Sequence, residues 1–232
     1  MGNLICENGQ VKMVSSFSEL VSTGFSGMQN AVCWQRNPRG NFKEIAEKLQ
    51  LKENVTEISQ QDLLTLKVSD DGAKAREIIL NDLALLTKSG AQPVLNLIKN
   101  YERDDAFDFI STDVYSYHVD RSPVATSTFL CTYDGAAGDI IGNDEAIQKI
   151  LIPEIRENLK KLHQGCADDF ETFLTENYFD LHFEAKPNAK PFNLGKRNLW
   201  KLSVDHPGHM VLPCIHRAPK ENYGEYRLLL IC

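Results

Sequence analysis

The chain has 232 residues, of which 42% are apolar and 25% charged, a balance that supports one main globular core with elaborations and excludes wholesale disorder. With 25 Lys and Arg against 32 Asp and Glu, the formal charge is −7, so no broad positive field is present to hold nucleic acid. No apolar run reaches the length of a membrane span, and a small-molecule or protein partner fits this balance better.

At the N-terminus, no basic flank precedes an apolar segment, so no signal peptide is expected. The start Met1-Gly2-Asn3-Leu4-Ile5-Cys6 lacks the Ser or Thr of an acylation site. Six cysteines (Cys6, Cys33, Cys131, Cys166, Cys214, Cys232) are widely spaced with no C-x-x-C pair, and read as free thiols of a reducing, cytoplasmic setting.

Residues 1–105 read as a mainly helical support region. One extended piece, Ala31-Val32-Cys33-Trp34, closes in the turn Asn37-Pro38-Arg39-Gly40. Helical spacing follows in Phe42, Ile45, Ala46 and Leu49, then in Ala75, Ile78, Ile79, Asp82, Leu83 and Leu86, where Asp82 is the single polar member. Gly90 and Pro93 are expected to stop one helix and start another, with Val94, Leu95, Leu97 and Ile98 as its apolar positions.

From about residue 106 the pattern turns β-rich. Strands are expected at Phe107 to Ile110, Val114 to Val119, Thr126 to Tyr133, Trp200 to Val204, Met210 to Ile215 and Tyr226 to Cys232, which suggests a sandwich or barrel over 106–232. Between the third and fourth lies a helical insertion at about 143–180. Ile147, Ile150, Leu151, Ile155, Leu159 and Leu162 form one stripe, which Pro153 is expected to break or kink. A second helix is expected from Ala167 to Tyr178, followed by a loop at Lys186 to Pro191.

Within this β region, Tyr117-His118-Val119-Asp120 puts an imidazole and a carboxylate two positions apart on an extended chain, hence on one face. His216, 98 residues after His118, ends an apolar strand and supplies a third ligand. Two histidines and one carboxylate are the facial set that holds non-haem Fe(II). Beyond the turn Lys220-Glu221-Asn222-Tyr223-Gly224 the chain returns with Arg227. If the two strands pair as a hairpin, Arg227 projects into the cavity of His216, where a guanidinium needs an anion such as the far carboxylate of 2-oxoglutarate. The other reading of Arg227 is an edge-strand ion pair with Glu221 or Glu225.

The order of H-x-D, a Thr-Tyr strand, a long insertion, a distal His and then Arg resembles the Fe(II)/2-oxoglutarate dioxygenase superfamily. Within it, the chain resembles an uncharacterised, mainly bacterial family of presumed members. The stretches that carry the resemblance are Ala31 to Pro38, Tyr117 to Asp120, Leu130 to Gly135, His216-Arg217-Ala218-Pro219 and Arg227 to Leu230. It implies an α+β fold with a double-stranded β-helix (jelly-roll, cupin-like) core, N-terminal helices and a helical insertion.

By position, the resemblance implies His118, Asp120 and His216 as the iron ligands and catalytic centre, with Arg227 as the clamp for 2-oxoglutarate. Thr132 or Tyr133 would add a hydroxyl to that clamp. Strand alternation turns only one of the pair inward; Tyr133 is favoured for its reach, and an ordinary cross-strand aromatic is its other reading. Asp120 stands where halogenating relatives carry a small residue, which points to a hydroxylase acting on a small molecule or side chain with molecular oxygen. Gly135-Ala136-Ala137-Gly138-Asp139 departs from the Gly-x-Gly-Thr of relatives at the local loop.

Two other readings use the same residues. A cupin-like metal enzyme without 2-oxoglutarate leaves Arg227 unexplained, and a non-catalytic β-sandwich binding protein makes all four residues incidental. His206 and His209, in Asp205-His206-Pro207-Gly208-His209, offer a second metal site with Asp205 or His182, although Pro-Gly dictates a turn by itself. The substrate and the oligomeric state are not legible in the sequence.

Overall fold

Helices and strands alternate through the first part of the chain, and each early helix begins at a side chain able to cap it. The structure, a computed structural model, describes residues 9–232; Cys6 and the N-terminal acylation reading lie outside the described residues. β1 (Val11–Val14), α1 (Phe17–Ser22), β2 (Ala31–Trp34), α2 (Phe42–Lys48), β3 (Val55–Ile58), α3 (Gln60–Thr65), α4 (Asp70–Lys88) and β4 (Val94–Ile98) come first. Ser16, Asn41, Ser59 and Ser69 cap the four helices by accepting an amide three residues on, and Ser59 and Asp62 close a reciprocal capping box.

There follow β5 (Tyr117–His118), β6 (Ser127–Asp134), β7 (Asp139–Ile141), β8 (Ala146–Gln148), α5 (Pro153–Leu162), α6 (Phe170–Glu176), β9 (His182–Ala185), β10 (Phe192–Asn193), β11 (Leu199–Ser203), β12 (Ile215–Arg217) and β13 (Arg227–Ile231). They form two sheets, one of seven strands in the order β1-β2-β11-β6-β13-β4-β3 and one of six in the order β10-β7-β12-β5-β9-β8.

The pairings are nested. β4 pairs β13, β5 pairs β12, β6 pairs β11 and β7 pairs β10, all antiparallel. Eight strands thus behave as one long hairpin whose arms step back and forth between the two sheets. This nesting brings segments about a hundred residues apart into direct contact.

The sheets face one another across Ala31, Cys33, Ile98, Leu130, Ile140, Trp200, Leu202 and Leu229. Trp200 is fully buried there, and its Nε1 donates to the Leu194 carbonyl at 2.9 Å. Helices α1 to α4 cover the far side of the large sheet, where Leu20, Phe42, Ile45, Ile79, Leu83 and Leu86 pack on Leu95, Leu97, Phe129, Tyr133, Leu228 and Leu230. Among the described residues no helix is long and apolar enough to cross a membrane, and the five described cysteines are thiols.

Several elements differ from expectation. Val94–Ile98 is strand β4, not a helix. As an inner strand it presents Leu95 and Leu97 to the helices and Ile98 to the other sheet, so its near-continuous apolar run imitates helical spacing. Together with β1, β2 and β3 it makes the first hundred residues part of the large sheet, rather than a helical support beside it.

Pro153 opens α5, where its missing N–H is one that no helical carbonyl could have used, and Ala146–Gln148 before it is strand β8. The 107–110 segment is not a strand; Phe107, Phe109 and Ile110 pack instead against Leu159, Phe170 and Leu174 of the insertion helices. Of the two expected strands flanking the histidines, only Tyr117–His118 and Ile215–Arg217 are paired. Pro213 lacks a ladder donor, and Met210 and Leu212 are exposed.

Candidate metal centre

β5 and β12 are neighbours in the small sheet, and their register sets His118 directly opposite His216. The two rings lie 4.5 Å apart between centroids. Asp120 follows His118 by two residues and turns to the same side. The possible ligand atoms of His118, Asp120 and His216 all lie within 4.8 Å of one another, so the three form a cluster that can hold a metal ion. His216 Nε2 stands 3.7 Å from Asp120 Oδ2.

The hydrogen bonds around the cluster suit that use. His118 Nδ1 donates to the Ser116 carbonyl at 2.8 Å, and His216 Nδ1 donates to the Cys214 carbonyl at 3.1 Å. A carbonyl can only accept, so each Nδ1 carries a proton, and in the neutral imidazole the lone pair is then on Nε2, on the side of the cluster. The Thr128 hydroxyl, from the facing sheet, donates to Asp120 Oδ2 and fixes the carboxylate.

Burial, followed by the charge of His216, pushes the His118 imidazole down to about 4. For Asp120, burial pushes upward, but His216 and the Thr128 hydroxyl outweigh it and hold the carboxyl below its usual range. A neutral imidazole and an ionised carboxylate are the forms a divalent metal needs.

Arg227 is 6% exposed, on β13. It does not reach the site by a hairpin with β12, as expected, because β12 and β13 belong to different sheets. From β13 it extends toward the start of β7 in the other sheet. Its Nη2 donates to Thr132 Oγ1 at 3.3 Å, its Nε has no hydrogen-bond partner among the described residues, and it makes no ion pair there.

The alternative partners are engaged elsewhere. Glu221 accepts from Tyr115 Oη at 2.5 Å, and Glu225 accepts from the Asn222 amide at 2.7 Å. Burial pulls the Arg227 pKa below its ordinary value. Gly138 marks its position, since a Cβ there would meet the Arg217 carbonyl oxygen at 2.6 Å and Arg227 Nη2 at 3.9 Å. Gly138 is two residues from Ile140, the ladder partner of His216, an offset of ~7 Å along the strand.

The structure separates the two hydroxyl candidates, against the preference for Tyr133. Thr132 faces the other sheet and touches Arg227. Tyr133 points into the helical layer, stacks on Phe42 with centroids 5.6 Å apart, and donates to Asp82 Oδ2 at 2.6 Å. Asp82, the polar member of the α4 stripe, is fully buried and takes Arg36 Nη1 at 2.7 Å, with Arg36 Nη2 on its second oxygen. A β-bulge interrupts the β6–β13 register at this point.

His182 does not join His206 and His209. It is the ladder partner of His118, with ring centroids 5.8 Å apart, whereas His209 Nδ1 lies against the backbone of His206, 2.6 Å from its carbonyl oxygen, in its own turn. Burial, then the charges of His118 and Lys149, push the His182 imidazole down to about 3. Thr128 and Lys149 were not singled out in the sequence. The only signal for Thr128 was its alternation with Thr132 along β6, and Lys149 had none.

A cavity of about 780 Å³ opens near the ends of β5 and β12, and none of the three cluster residues lines it. Its wall includes Ser116, two residues before His118, and Arg217, next to His216. Comparison with known proteins finds no matching family model, curated protein or solved structure.

Proposed function

We propose that the chain is an Fe(II)/2-oxoglutarate-dependent dioxygenase of the hydroxylase type, acting on a small molecule with molecular oxygen. The observation that carries this reading is the His118, Asp120 and His216 cluster with both Nδ1 atoms tied to carbonyls. The nested strand pairing supports a double-stranded β-helix core, because a long hairpin wound between two sheets is how a jelly roll is built.

Bound iron would supply the redox chemistry that couples decarboxylation of 2-oxoglutarate to hydroxylation of a C–H bond. The protein does the rest. His118, Asp120 and His216 would hold the ion. Thr128 keeps the Asp120 carboxylate aimed. Arg227, a buried guanidinium without an ion pair, takes the distal carboxylate of 2-oxoglutarate, with the Thr132 hydroxyl beside it.

A metal enzyme without 2-oxoglutarate would use the same three ligands and give Arg227 nothing to bind. The test is anaerobic addition of 2-oxoglutarate to the Fe(II)-loaded protein. A weak visible charge-transfer band is expected; normal iron binding without that band contradicts the proposal.

A further inference from the structure

Direct ladder partners point to the same side of a sheet, and the pairings Ile140 with His216, His216 with His118 and His118 with His182 set four side chains in one line. β8 continues the sheet and ends with Gln148 opposite Phe183; Lys149 opens the turn that follows, and its charge acts on His182. A polar row thus leads away from the metal ligands through a third imidazole to an ammonium group.

Neither of these last two groups is used by the cluster. His182 is 5% exposed, and its Nδ1 has no hydrogen-bond partner among the described residues. Lys149 Nζ donates to the Ser111 carbonyl at 3.0 Å and to the Ser116 hydroxyl at 2.8 Å, both neutral acceptors, and makes no ion pair among the described residues. An ammonium has three N–H bonds, so one remains to be used.

Lys149 stands in the wall of the 780 Å³ cavity, a size that suits a small-molecule site. Arg103, Lys149, Arg217 and Lys220 line it against two carboxylates, Asp113 and Asp139. Both carboxylates are engaged. Asp139 takes Arg217 Nη2 at 3.1 Å, while Asp113 takes the amides of Tyr115 at 3.0 Å and Ser116 at 3.2 Å and faces Arg103 at 3.8 Å. The cavity therefore carries surplus positive charge in a protein that is acidic overall.

We propose that this cavity receives the substrate, and that the substrate is a small molecule bearing a carboxylate or phosphate, whose anionic oxygen lies on Lys149. The inference rests on the metal-centre reading above. Lys149 Nζ donates to the hydroxyl of Ser116, two residues or ~7 Å along the strand from His118, so the anion and the reacting C–H belong to separate parts of the molecule. Two anions then flank the cluster, the co-substrate at Arg227 and the substrate at Lys149.

The test uses the full chain loaded with redox-inert Zn(II) and saturating 2-oxoglutarate. Hexanoate and phenyl phosphate are titrated by ligand-observed NMR, with hexanamide and hexylamine as neutral and cationic controls. At least one anionic probe is expected to bind in preference to both controls; hexanoate alone would mark a carboxylate substrate, phenyl phosphate alone a phosphate. Lys149→Met should weaken that probe by about tenfold or more, the loss of one charge-assisted hydrogen bond. Lys149→Arg should restore most of the affinity, and 2-oxoglutarate binding should be unchanged in both variants.

Binding of neither anion, a preference for hexylamine, or equal affinity in Lys149→Met overturns the proposal. Should Lys149→Met not fold, Lys149→Gln replaces it, with weaker probe binding expected and unchanged binding contradictory. Failure of 2-oxoglutarate to bind the wild type, with the probes still held through Lys149, would overturn the dioxygenase reading and support the anion site.

Discussion

Thr128 is the residue on which the aim of Asp120 depends, because its hydroxyl is the donor that the facing sheet offers to that carboxylate. Thr128→Val keeps the shape and removes the donor. Metal affinity should fall by about tenfold, as is usual when a partner of a ligand is lost, with little change in thermal stability; an unchanged metal titration would remove Thr128 from the site. Arg227 and Tyr133 make a contrasting pair. Arg227→Met deletes a buried cation that has no ion pair, so stability should hold or rise while the 2-oxoglutarate dissociation constant increases by about tenfold or more. Tyr133→Phe should do the opposite. It takes a donor from the buried Asp82 carboxylate and should cost about 2 kcal/mol in denaturant unfolding, with 2-oxoglutarate binding untouched. Loss of co-substrate binding in Tyr133→Phe would reverse the assignment of the two hydroxyls.

At the level of elements, β7 and β12 must approach closely where Gly138 passes the Arg217 carbonyl. Gly138→Ala puts a methyl group 2.6 Å from that oxygen, so the ladder has to shift. A loss of about 1–3 kcal/mol is expected, together with weaker 2-oxoglutarate binding, since Arg227 lies against the same point; wild-type values for both would show that the strands have room. The elements also explain what could be read beforehand. H-x-D on an extended chain fixes a shared face by itself, so His118 and Asp120 were legible, as was the odd position of Asp82 in an apolar stripe. β6 is buried on both faces, with Phe129, Cys131 and Tyr133 on one side and Thr128, Leu130 and Thr132 on the other. Alternation showed that Thr132 and Tyr133 part company but not which way each turns. β4 was misread for a related reason, because a strand covered on both sides has no polar face to reveal its period.

Across the whole molecule, the nested pairing is what turns a scattered sequence pattern into a site. His118 and His216 are direct partners only because β5 and β12 occupy matching positions on the two arms of one wound hairpin, and Thr128 meets Asp120 from the opposite sheet. Local spacing carries no record of such pairing, so the sequence supported the ligand set while misplacing the route of Arg227 and overlooking the row through His182 to Lys149. The central claim is that the three residues hold one metal ion. Anaerobic equilibrium dialysis with Fe(II) on the wild type and on His118→Ala and His216→Ala, each checked for retained fold by circular dichroism, tests it most directly. One iron per wild-type chain and its loss in both variants is the expected result; iron retained at wild-type stoichiometry in either folded variant would contradict the account.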